Sequence, residues 1–157
     1  MLLEFCRWLQ YSGPLHAMRG SPVFFPIVAT IHLMGLALIG GAVLVVDLRL
    51  LGLGLQSQPA AALAQDADRW LFRGLVVMVT TGILLFMCFA TKYYYLTFFW
   101  VKMAALITVI VFTRSVHRRV AMANDADVRP IARKVVALIS IFLWTTVAVG
   151  GRYIGFP

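Results

Sequence analysis

The chain has 157 residues, of which 62% are hydrophobic and only 13% charged, with 14 Lys and Arg against 6 Asp and Glu. That leaves too little polar surface for a soluble domain of this length and places the chain among small integral membrane proteins. Cys6 and Cys88 lie far apart with no C-x-x-C spacing, which argues against a disulfide framework or a thiolate zinc site.

Residues 1–21 come first. In LLEFCRWLQY, Leu2, Leu3, Phe5, Trp8 and Leu9 alternate with Glu4, Arg7 and Gln10, a pattern suited to an interfacial helix lying along the outer membrane surface. The segment lacks the basic, apolar and small-residue succession of a secretory signal, so it is expected to stay on the mature protein. Gly13 and Pro14 end it, and His16 and Arg19 then return to the mouth of the first span.

That span is expected at about 23–46, VFFPIVATIHLMGLALIGGAVLVV, long enough to cross a hydrocarbon core of roughly 30 Å. His32 lies within it, about 14 Å from the outer end at 1.5 Å per residue. An ionisable side chain at such depth faces a protein interior, a cavity or a cofactor rather than lipid. Gly35, one turn on, would let a flat macrocycle or another backbone approach; Ala37 and Gly41 have the small-x-x-x-small spacing of helix packing. Asp47 and Arg49 are expected to pair at the inner interface.

Three more spans follow, at about 74–91, 95–115 and 134–152. The loop before the second has Pro59 to break a helix, and a short interfacial helix is expected in it ahead of Trp70. Thr80, Thr81 and Gly82 fall at mid-depth in the second span; the hydroxyls can bond to their own helix carbonyls. The third enters through KYYYLTFFW, an aromatic belt at headgroup level, and then carries Lys102. A helix beginning at Tyr93 would bring Lys102 to the depth of His32, and a later start would leave it shallower and able to snorkel. His117, in TRSVHRRV, is expected on a solvated basic face. Pro130 suits the first turn of the fourth helix, which ends with Gly150, Gly151 and Arg152.

The expected fold is all-α: one integral membrane four-helix bundle with an N-terminal interfacial helix. Nine cations fall on the side of the two odd loops and five on the other, so the odd loops are expected in the cytoplasm and both termini outside, in a bacterial inner membrane. Topology and anionic lipids at the Arg114 to Lys134 face account for the net charge of +8, with no nucleic-acid partner. Glycines at 35, 40, 41, 82, 150 and 151 exceed what one bundle needs, which points to a homo-oligomer or a larger membrane complex.

On the outer side, Arg7, Arg19, Lys92, Lys102 and Arg152 face a single acidic side chain, Glu4, so these cations need another anion. Lipid phosphate is one source. Haem b is the other: His32 would supply an axial nitrogen, Gly35 would admit the ring, and Lys102, Arg19 and Arg152 would hold the propionates. The second axial ligand is open between His16, one of Met34, Met78, Met87 and Met103, and none.

Phe24-Phe25-Pro26, His32-Leu-Met-Gly35, Gly40 and Asp47-Leu-Arg49-Leu-Leu-Gly52, with Lys102 in the third helix, resemble a family of uncharacterised small bacterial inner-membrane proteins. That family is itself distantly similar to copper-resistance D membrane domains and b561-like cytochromes. The resemblance implies a four-helix bundle with His32 as the matching ligand.

Two classes of function follow. One is a haem-binding electron carrier working with quinone or an outer redox partner; the other is a structural accessory subunit. Metal or proton transport through His32 is a lesser alternative. A stand-alone enzyme is the weaker expectation, since no serine or cysteine nucleophile has a local histidine and carboxylate set.

Overall fold

The computed structural model describes residues 4, 6–8, 20–55, 57–123 and 128–154. His16, Arg19 and most of the expected interfacial helix lie outside them, although Glu4 and Cys6–Trp8 are helical and Cys6 is buried. Among the described residues there is no strand. Four helices are long and apolar enough to cross a membrane: α1 (Phe24–Leu51), α2 (Ala60–Cys88), α4 (Thr97–Met122) and α5 (Pro130–Ile154); a short α3 (Ala90–Tyr95) lies between the second and third. The chain is a four-helix membrane protein.

The ends of the helices follow local chemistry. Gly52 terminates α1 at φ 79°, a left-handed conformation that costs glycine little, and the Leu53 N–H closes back on the Leu48 carbonyl at 3.0 Å. Pro59 caps α2, which then runs unbroken through AAALAQDADRW. The expected separate interfacial helix is therefore the first part of α2. Its alanines, leucine and glutamine are good helix formers, and no glycine or proline follows Pro59 to interrupt them. Phe89 and Leu96 leave helical geometry on either side of α3, where Phe86, Tyr93 and Phe99 stack with centroids 5.3 to 6.4 Å apart. Burial, and after it the Cys88 sulfur, pushes the Tyr93 phenol above its ordinary range, so it remains a neutral hydroxyl.

Within α4, residues Thr113–His117 form a π turn. The wider turn keeps Thr113 and His117, four residues apart, on the same buried side of the helix. α1 packs along α2, α4 along α5, and α5 also against α1; α2 meets the last turns of α4, residues Arg118–Met122, but does not approach Thr97–Phe112 closely. Ile39, Val43, Leu71, Met78, Leu106 and Val109 form the central core with Trp144 and Val147. Phe72, Val76, Ile83, Leu138 and Phe142 point outward, as lipid-facing positions do.

The close crossing of α1 and α2 is made by Gly35 and Gly74. A Cβ on Gly74 would stand 2.7 Å from the Ile39 Cγ1 and 3.2 Å from the Gly35 carbonyl, whereas one on Gly41 would meet nothing within 4 Å. Gly74→Ala should therefore destabilise the bundle by about 1–3 kcal/mol through overpacking, and Gly41→Ala should cost nothing measurable. Equilibrium unfolding in mixed micelles checks this; equal effects at the two sites would contradict the assigned crossing.

Candidate functional site

Two polar clusters interrupt the apolar interior. The first is built on His32, which is half-buried about 12 Å along α1. Its Nδ1 lies 2.9 Å from the Thr81 hydroxyl of α2, and that hydroxyl lies 2.6 Å from the Val77 carbonyl. A threonine has one hydroxyl hydrogen, and the shorter contact to Val77 takes it. Toward His32 the oxygen accepts, so Nδ1–H donates. In the neutral ring the lone pair then resides on Nε2. Thr81 both makes the expected bond to its own helix and fixes the tautomer of His32, as an outer partner does for a metal-ligating imidazole.

Gly82 makes room for the ring, since a Cβ there would stand 3.2 Å from the His32 Cε1. Gly35 has a different task. Its missing Cβ is taken up by the Met78 amide nitrogen at 3.3 Å and the Gly74 carbonyl at 3.4 Å, so it admits the α2 backbone and offers no open face to a macrocycle. The glycine that serves His32 is therefore on the neighbouring helix.

Lys102 is partly buried in α4 and lies across α5: its Nζ is 3.1 Å from where a Gly151 Cβ would be, and its Cβ 3.5 Å from that of Gly150. His32 lies fifteen residues before Asp47 and Lys102 fifteen before His117, so the Asp47–His117 contact between α1 and α4 sets Lys102 at about the depth of His32. No carboxylate among the described residues forms an ion pair with Lys102. Arg152 is exposed in the last turn of α5. His16 and Arg19, the other expected ligand and cation, lie outside the described residues.

The second cluster corrects the expectation for His117. This side chain is not on a solvated face: it is 5% exposed and donates Nε2–H to Oδ1 of Asp47, itself 0% exposed, over 2.7 Å. Asp47 pairs with α4 rather than along its own helix with Arg49, whose Nε donates to the Gln58 carbonyl. The second Asp47 oxygen is buried without a hydrogen-bond partner. Asp68 and Arg118, joined at 2.8 Å, lie on the rim of the small cavity beside His117.

The donor set suits one axial bond to a metal centre, from His32 Nε2. Among the described residues no three His, Cys, Asp or Glu side chains converge as a metal cage would require. Met34 points away into the lipid-facing surface, while Met78 is buried against the α1–α2 crossing. No curated protein and no solved structure matches the chain. A family model does match residues 8–157, nearly the whole chain, and the protein belongs to that family of unknown function, DUF6644.

Proposed function

We propose that this chain is a membrane electron carrier holding a b-type haem through one axial bond from His32. The observation that supports it is the His32–Thr81 pair, which directs Nδ1–H into the protein and leaves Nε2 as the lone-pair nitrogen. Bound haem would supply one-electron chemistry; the chain orients the imidazole and offers Lys102, with Arg152 beyond it, to the propionates. Quinone or a redox protein at the membrane face would be the partner. Purified protein expressed with haem available should show a Soret band that sharpens and shifts on reduction, and a colourless preparation would overturn the reading.

The accessory-subunit reading has one observation in its favour. The cavities at the basic end, of about 20 and 130 Å³, do not touch His32, and both are smaller than the roughly 300–1,000 Å³ of most small-molecule sites. A haem at His32 would therefore use the half-exposed side of the residue, against lipid or a second subunit. Ala37 and Gly41 lie exposed on α1, which supports an oligomer or a larger complex as the working form.

In the proposed setting, a bacterial inner membrane, the end bearing Arg49, Arg69, Arg114, Arg119 and Lys134 faces the cytoplasm. Labelling of a cysteine placed at Ser57, in a background with Cys6 and Cys88 replaced, should then be blocked in intact cells and appear on lysis. Labelling before lysis would reverse the orientation.

A further inference from the structure

We propose that the Asp47–His117 pair is a proton-accepting site, loaded at His117 Nδ1 from water at the basic end of the bundle through a cavity the size of one water molecule. His117 is 5% exposed and gives its Nε2–H to Asp47, so in the neutral ring the lone pair is on Nδ1. Nδ1 has no partner among the described residues, yet unlike the orphaned Oδ2 of Asp47 it retains accessible surface. His117 lines a cavity of about 20 Å³ with Val46 of α1, Ala64, Ala67 and Asp68 of α2, and Arg118 of α4. Asp47 is not part of this lining, so the carboxylate and the cavity lie on different sides of the ring, and the cavity has the Nδ1 side. A cavity of roughly 10–15 Å³ is enough for one water. On the rim, partly exposed Asp68 and Arg118 are joined at 2.8 Å, which gives such a water polar neighbours and a way to solvent.

An acid and an imidazole inside spanning segments are expensive to bury, and an aliphatic pair would serve the packing as well. Stability therefore does not account for them. His117 also closes the π turn Thr113–His117, a local widening that recurs at functional sites and here sets the ring between Asp47 of α1 and the cavity against α2. With Asp47 ionised and His117 neutral, the pair carries one negative charge out of solvent. A proton arriving at Nδ1 from the cavity water makes the ring an imidazolium beside the carboxylate. The net charge of the pair goes to zero, and hydroxide is left to the solvent at the basic end. The proton on Nε2 can then pass to Asp47 Oδ1, since an imidazole takes a proton at one nitrogen and releases one at the other. The other charges at this end are Asp68 of α2, exposed Arg114 and Arg118 of α4, and Arg133, the buried cation of α5, which packs against the π turn. Arg49 of α1 is bonded to the Gln58 carbonyl. Among the described residues, Asp47 alone hydrogen-bonds to the ring.

The site stands on the pair and its cavity and does not need haem at His32. The test uses the full chain in phospholipid nanodiscs, ¹⁵N-labelled at histidine, with pH as the variable. The His117 ring signals, assigned by their loss in the double Asp47→Leu, His117→Leu variant, should show a bare Nδ1 at about pH 8 and two protonated nitrogens at about pH 5, reversibly. Asp47→Asn keeps an acceptor for Nε2–H and removes the charge, so the proton affinity of the ring should fall about tenfold or more. Ala67→Val fills the cavity without touching the pair. Its Tm should hold or rise, which separates a blocked path from a lost fold, and the single averaged His117 signal should split into protonated and neutral signals as exchange slows. A ring that stays singly or doubly protonated across the whole range overturns the proposal and leaves a purely structural pair. Unchanged proton affinity in Asp47→Asn overturns it as well, and a signal still averaged in Ala67→Val overturns the cavity as the entrance.

Discussion

Asp47→Leu should destabilise the bundle by about 3–5 kcal/mol, because it leaves the His117 ring buried against an apolar side chain with its donor unmet. His117→Leu should cost as much or more, since it strands a carboxylate in a site 0% open to solvent. The double change to leucine at both positions should recover most of the loss. The native pair is itself incompletely satisfied: Oδ1 accepts from His117 at 2.7 Å, while Oδ2 has no hydrogen-bond partner. A buried pair with an orphaned oxygen contributes little net stability over an apolar replacement, yet each half is expensive to remove alone. Unfolding in mixed micelles, run as a double-mutant cycle, measures this coupling. A single-change cost below about 1 kcal/mol would mean that the pair is hydrated and not part of the packed interior.

The spans were legible because lipid imposes a length of apolar sequence that few other settings demand. Pro59 and Pro130 marked helix ends by chemistry that acts over a few residues. The start of α2 was not legible from hydropathy, since Ala60 to Arg73 mixes polar and small residues and continues the helix beyond the apolar run. The rotation of α1 was hidden for a different reason. Its outward side meets lipid and its inward side meets protein, and both want apolar residues, so periodicity carries no sign of which glycine faces α2. Gly35 and Gly41 looked alike; only the crossing at Gly74 separates them.

The Asp47–His117 pair was missed because the two residues were assigned to surfaces one at a time. Depth accounting would have raised the possibility: along their helices Asp47 is about 35 Å from the start of α1 and His117 about 30 Å from the start of α4. The two helices run in the same direction across the membrane, so these depths match. Likewise Thr81 read as self-satisfied, and its bond to Val77 is present; its second role becomes visible only when His32 is found beside it.

His32→Ala should abolish the Soret band of a haem-loaded preparation, because it removes the only described imidazole at this depth and with it the axial bond. Thr81→Val should act more mildly. The valine keeps the shape of the threonine but cannot accept from Nδ1–H, so the ring loses its fixed tautomer; loss of such an outer partner weakens metal retention about 10–100-fold. Lys102→Ala should leave the iron ligand in place, with the band still present but haem lost more readily on dilution, because a propionate would lose its charge-assisted partner. This ordering, His32 first, Thr81 next and Lys102 distinct in kind, separates axial ligation from non-specific haem uptake by an apolar surface. Spectra of wild-type and variant proteins purified side by side, with unfolding measured on each, provide the comparison. A Soret band that survives His32→Ala unchanged would remove His32 from the site and with it the electron-carrier reading built on this residue.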